Sequence, residues 1–225
     1  MQRRAKLPRQ LNNRRFKDNM TNMTRTLFLA LAVASGLLLN GCASSDSGSS
    51  QTQYDLGPVR AQAATATTLT LPAVSIGEPK VPAWLDNQAM FYRLNYANDQ
   101  QPRPYAGSKW TMPPAQLFVE RLKSRLSQAG GVVVPASDGA LNLPILRIEA
   151  DDFSQVFDSA GQSHATIAIR ASIFDGRFLR EQKMFIKQVP ATSTDARGGA
   201  AALAAGSDAI INEMAVWLAN LPPKK

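Results

Sequence analysis

Between Leu143 and Val189 apolar and polar residues alternate with a period of two, and this pattern restricts the fold more than any other feature of the chain. Leu146, Ile148 and Ala150 alternate with Arg147, Glu149 and Asp151; Ala165, Ile167, Ile169, Ala171 and Ile173 alternate with Thr166, Ala168, Arg170 and Ser172. Successive side chains of a strand point to opposite faces, so each run is a strand with one dry and one wet side. Asp175-Gly176, between Phe174 and Arg177, predicts a two-residue hairpin turn with positive φ, and Asp158-Ser-Ala-Gly161 breaks the chain at the other junction. The outcome is a three-strand antiparallel meander over about 143–189, whose dry face requires a cover.

Two helical patterns supply that cover. Pro113-Pro114 open a helix to Ala129, in which Phe118, Leu122, Leu126 and Ala129 form one apolar stripe. Arg121 and Arg125 border the stripe, and are expected to lay their stems along it with the charged ends in water. Gly130-Gly131 stop the helix, and Val132-Val-Val-Pro135 leaves it as a strand. From about Asp195 to Asn220 the chain is Ala-rich, with Leu203, Ile210, Ile211, Met214, Trp217 and Leu218 on one broad face; Thr194 or Asp195 caps it. Strands that outnumber helices, with two amphipathic helices laid over an antiparallel sheet, define an α+β domain of two layers.

Upstream, Tyr54-Asp-Leu-Gly-Pro58 reads as a short strand closed by a turn, and Leu69–Ile76 as a strand that Pro72 restricts to an edge or a bulge. Met90–Tyr96 is a further strand, followed by an aromatic and proline-rich loop from Ala97 to Met112.

Of 225 residues 44% are apolar, enough for a single buried core, and the formal charge of +8 is unevenly placed. Eight Lys or Arg precede Cys42, against Asp18 alone; the remainder of the chain is close to neutral. The high pI therefore belongs to the leader and gives no support to nucleic-acid binding by the domain behind it. Leu27 to Leu39 is an uncharged apolar run of 13, shorter than the roughly 20 residues of a membrane-spanning helix but matching the core of a secretory signal. Residues 1–22, basic and without an apolar period, read as an upstream extension, with translation starting at Met20 or Met23. Residues 23–41 are then the signal peptide, 42–53 a cysteine and a polar linker, 54–221 a single domain and 222–225 a tail.

The chemistry of an enzyme is missing. Cys42 is the single cysteine and His164 the single histidine, the latter expected as a solvated residue at a strand end. No nucleophile elbow, phosphate loop, HExxH or EF-hand pattern occurs. Asp151-Asp152 would point to opposite faces of a strand unless a bulge intervened, and Glu149 with Asp151 read as the wet side of the sheet. No catalytic, metal-binding or cofactor site is expected.

Leu39-Asn40-Gly41-Cys42 resembles the lipobox of bacterial lipoproteins, apart from Asn40 where a small residue is usual. That resemblance implies diacylglycerol and an N-acyl chain on Cys42 after cleavage before it; Ala43-Ser44, with no Asp directly after the cysteine, implies delivery to the outer membrane. Behind the lipobox come Tyr54-x-Leu56, Tyr92-x-Leu94, Trp110-x-x-Pro113-Pro114 leading into Leu117, Leu122 and Leu126, the hairpin strands, and a last helix ending near Trp217-Leu218. In this order the features resemble the auxiliary lipoprotein family of ABC-type transport systems, the group that contains PqiC. The resemblance implies a non-catalytic periplasmic protein anchored in the outer membrane, partnered with an MCE-domain protein, and serving the movement of lipids or other hydrophobic molecules between membranes. A second copy of the chain is a further partner left open. The rival reading is a lipoprotein that tethers or activates a cell-wall synthesis enzyme. The Ala97–Met112 loop is the candidate docking surface, because Arg103, Tyr105 and Trp110 are residue types enriched at interface hot spots; Trp110 has the alternative of packing under the Pro113 helix.

Overall fold

A computed structural model of the chain describes residues 51–59 and 69–222. The leader, the signal segment, Cys42 and most of the linker lie outside the described residues. Among the described residues one eight-stranded mixed sheet carries two α-helices. Its strands are β1 (Thr52–Tyr54), β2 (Val74–Ile76), β3 (Ala89–Leu94), β4 (Asn98–Trp110), β5 (Val133–Pro135), β6 (Ile145–Ser159), β7 (Gln162–Asp175) and β8 (Phe178–Pro190). The helices are α1 (Pro114–Gln128) and α2 (Ala196–Ala219).

The meander β6, β7, β8 is the frame, paired antiparallel along nearly its whole length. Leu146, Ile148, Ala150, Ala165, Ile167, Ile169, Ala171 and Ile173 are all buried, as their alternation requires. The hairpin turn falls one residue later than predicted: Asp175 still pairs with Phe178, leaving Gly176-Arg177 as the loop. Gly176 has φ +59° whereas Arg177 is outside the positive-φ set, and glycine at the first of two loop positions is the need of a type II′ turn.

The sheet is mixed rather than antiparallel throughout. One side of β6 pairs with β7, and the other side is shared in parallel by β2 at Ile145–Leu146 and by β3 at Ser154–Phe157. β2 also pairs in parallel with β5, and β1 with β4. These segments reach the sheet by crossover connections, and their short apolar runs carry no sign of direction. β2 is an interior strand of three residues, not an edge; it begins only after Pro72, which has no N–H to give to a ladder.

The expected Ala97–Met112 loop is the 13-residue strand β4, antiparallel to β3. Pro102 and Pro104 disguised it. Both are tolerated because β1 covers β4 only at Ser108–Trp110, so their part of the strand has an open edge. Pairing also begins at Thr52, inside the expected linker.

The helices lie where their stripes predicted. Asp195 caps α2, its Oδ1 accepting from the Gly198 N–H at 2.8 Å, and Ser193 donates to the same oxygen. These two hydrogen bonds, that of Ser193 first, hold the Asp195 carboxyl below the usual range. The helices and sheet enclose Phe118, Leu122, Leu126, Phe153, Leu203, Ile210, Met214 and Phe185, all essentially inaccessible to water.

Candidate partner surface and the point of tethering

The chain enters the described domain at Gln51, whose Nε2 donates to the Ala106 carbonyl at 2.9 Å. β1 then runs along the end of β4, with Thr52 opposite Ser108 and Tyr54 opposite Trp110. Leu56 drops into the core, and Gly57, at φ +74°, turns the chain while its N–H donates to Asp55 Oδ1.

Arg121 secures this entry. Its Nη1 donates to the carbonyls of Leu56 (2.8 Å) and Gly57 (3.0 Å), and its Nε and Nη2 grip Asp208 of α2 at 2.8 and 2.6 Å. Arg125 meets the same carboxylate at 3.1 Å. Burial works to raise the Asp208 pKa, but the hydrogen bonds and charges of Arg121 and Arg125 outweigh it and hold the carboxyl below its ordinary value. Both arginine heads were expected in water; the Arg121 side chain is only 7% exposed and that of Arg125 10%. A stripe of apolar residues cannot reveal a carboxylate 87 positions away, and sequence reasoning had no signal for this clamp.

The three candidate docking residues separate. Trp110 is fully buried, its ring 5.8 Å from Phe153 in a T-shaped contact, so it is a core residue and offers nothing to a partner. Tyr105 is half-buried. Its ring lies 4.7 Å from Tyr92, and its hydroxyl donates to Gln155 Oε1 at 2.9 Å. Burial, then the neighbouring Tyr92 and Asp195, push its pKa well up, so the phenol stays a proton donor. Gln155 is itself fully buried and donates onward to Ser163 Oγ at 2.8 Å. Arg103 is opposite Tyr92 in register and its Nη2 reaches Gln101 Oε1, while its Nε is buried with no hydrogen-bond partner among the described residues. Trp110 Nε1, also buried, likewise has no hydrogen-bond partner among the described residues.

A bulge at Asp151 shifts the phase of β6: Ala150 opposes Ile169, but Asp152 opposes Ala168. The adjacent carboxylates therefore meet different cations. Arg170 holds Glu149 at 3.1 Å and Asp151 at 2.8 Å, whereas Asp152 accepts from Ser154 Oγ at 2.7 Å and lies 3.8 Å from Arg93 Nε. Burial raises the Asp152 pKa despite these partners. His164, expected in solvent, is 17% exposed and its Nδ1 lies 2.8 Å from Asp158. Among the described residues no three His, Cys, Asp or Glu gather as a metal site, and no helix is long and apolar enough to cross a membrane. A cleft of about 630 Å³ runs beside the start of α1, with Ile76, Val81, Met112 and Val119 along it and Glu78 and Glu120 among its polar residues.

The profile of the family described as ABC-type transport auxiliary lipoprotein component matches residues 54–215. The chain belongs to this family. The boundaries of the match take in every strand from the end of β1 onward and nearly all of α2. A Xanthomonas campestris protein of the family DUF330 shares the fold of this auxiliary lipoprotein, with a TM-score of 0.64 at 19% identity over 75% of this chain and 95% of that one. A second crystal structure, of an uncharacterized protein, aligns with a TM-score of 0.58 at 16% identity, covering 75% of this chain and 98% of the other. Comparison with curated proteins gives no match.

Proposed function

We propose that this auxiliary lipoprotein is held by acyl chains on Cys42 at the periplasmic face of the outer membrane. There it docks, without catalysis of its own, onto an MCE-domain subunit of an ABC transport system that moves lipids or other hydrophobic molecules. The family match carries the transport role, and the lipobox-like Leu39–Cys42 carries the anchor. Eight residues lie between Cys42 and Gln51, nine steps of chain that reach at most about 30 Å when extended. The domain therefore works close to its membrane, with the end of β4 at Ala106–Ser108 next to the tether.

The docking element on this reading is the open edge of β4 around Arg103. A half-buried arginine set on an open strand edge beside the tether suits a partner that presents a carboxylate or backbone carbonyl. Co-purification with the MCE subunit tests it. Arg103→Ala should melt like the native chain and lose the partner, whereas Gln101→Ala, which removes only an intramolecular acceptor, should keep it. Retention of the MCE subunit by Arg103→Ala would take β4 out of the docking surface.

A further inference from the structure

One end of the meander carries apolar side chains that no described residue covers. Phe178 and Leu179 open β8 directly after the Gly176-Arg177 turn and are 81% and 53% exposed. β6 begins beside the end of β7, with Ile145 opposite Phe174, so the loop that carries Leu141 arrives at the same end of the sheet. Leu141 is 86% exposed, and it and Phe178 are the most exposed large apolar side chains among the described residues. Cations stand beside them. Arg177 is in the turn itself, and the Arg147 guanidinium lies over the Phe174 ring, 4.2 Å from its centre. Neither has an ion pair among the described residues, whereas the nearby carboxylates are both engaged, Asp175 with Arg180 at 3.9 Å and Glu181 with Trp217 Nε1 at 2.7 Å. Arg180 also donates to the Pro222 carbonyl, after which the chain continues through Lys224 and Lys225.

We propose that this end of the sheet rests in a membrane surface that contains anionic lipid, with Leu141, Phe178 and Leu179 among the acyl chains and Arg147 and Arg177 at the phosphates. The size, shape and charge of the patch select the occupant. A stable protein interface takes about 800 Å² of complementary surface from each partner. Three side chains at a projecting turn and its neighbouring loop do not supply that, whereas a bilayer needs no matching shape. Apolar side chains below and cations at headgroup level are the arrangement by which peripheral proteins hold to anionic lipid, and arginine places paired donors on a phosphate. So small a patch holds weakly from solution. The inference therefore rests on the proposed Cys42 anchor: the stretch from Cys42 to Gln51, with its reach of about 30 Å, keeps the patch at high effective concentration beside the bilayer and lets the domain lean this end onto it.

Tryptophan fluorescence tests this on the protein purified in detergent and reconstituted with vesicles whose acyl chains carry bromine as a quencher. Phe178→Trp, a change at an exposed position, should keep the native melting temperature. On vesicles of phosphatidylcholine with phosphatidylglycerol its added emission, read against the native chain with its three tryptophans, should move to shorter wavelength and be largely lost. On phosphatidylcholine alone the loss should be small, and Arg177→Glu in the same background should reduce it on the anionic vesicles. Tyr96→Trp, an exposed position between β3 and β4, should keep its emission on both. Flotation with the phosphatidylcholine vesicles reports the anchor separately: a protein that fails to float there, yet is quenched at position 178 by excess anionic vesicles, loses the anchor and keeps this surface. Unchanged Phe178→Trp emission on the anionic vesicles, equal quenching at positions 96 and 178, or equal quenching on the two lipid compositions overturns the proposal.

Discussion

Single residues decide whether the candidate surface and the core are one thing or two. Trp110 is in the core, so Trp110→Ala should cost about 3–5 kcal/mol and unfold the domain rather than merely detach a partner, as read by a denaturant titration. Tyr105→Phe removes one hydrogen bond to the buried Gln155 and should cost about 1 kcal/mol. Tyr105 is thus a structural latch between β4 and β6, and its truncation to alanine cannot serve as a clean probe of docking. Asp208 is more telling. Asp208→Asn leaves Arg121 with a buried charge facing a neutral amide, and should destabilise the domain by roughly 3 kcal/mol at pH 7, at the low end for a buried pair because the Asp208 side chain stays 25% exposed. Because the folded carboxyl titrates below its unfolded value near 4, the stability it contributes is complete above that value and disappears as pH falls through the folded pKa. Melting curves of wild type and Asp208→Asn should therefore converge below about pH 4; a gap that stays constant down to pH 2.5 would show that the charge is not the cause.

At the scale of elements, the meander and both helices were legible in the sequence because their signals are local. Alternation set β6 and β7, and a stripe at helical spacing with Pro113-Pro114 set α1. What was hidden depends on partners far away in sequence: the parallel neighbours of β6, the strand character of β4 behind its prolines, and the bulge that parts Asp151 from Asp152. The candidate site suffered most from this, since a loop displaying three side chains is in fact a strand with one side chain buried and two half-buried. Turn chemistry was legible to within one residue. Gly176 at φ +59° should resist a β-branched replacement, so Gly176→Val should cost about 1–2 kcal/mol and lower Tm by several degrees, while Asp175→Asn changes little. The start of α2 gives a second test. A Cβ at Gly199 would lie 2.0 Å from Gln155 Oε1, deep in the Tyr105–Gln155–Ser163 network. Gly199→Ala should destabilise the fold by about 1–3 kcal/mol through overpacking, measurable as a lower denaturation midpoint, although alanine is the better helix former.

The whole molecule is a small α+β domain behind a leader, and on the proposed reading its anchoring rests on a single position, Cys42. Among the described residues no helix can span a bilayer, and the 13-residue run before Cys42 is too short to do so. Lipid on Cys42 is then the means of retention on the proposed reading, each buried methylene contributing about 0.8 kcal/mol and one chain alone holding only marginally. The entry of the chain is built to be held: β1 is hydrogen-bonded to β4, Leu56 is buried, and Arg121 grips the next two carbonyls while bound to Asp208. A pull on the lead is passed to both helices instead of peeling off a loose end. Two variants separate the anchor from the clamp. Cys42→Ser should leave a folded domain that is missing from the outer-membrane fraction, whereas Asp208→Asn should stay with the membrane and become the more easily cleaved by protease. Retention of Cys42→Ser in the outer-membrane fraction at the native level would show that something other than lipid on this cysteine holds the protein there.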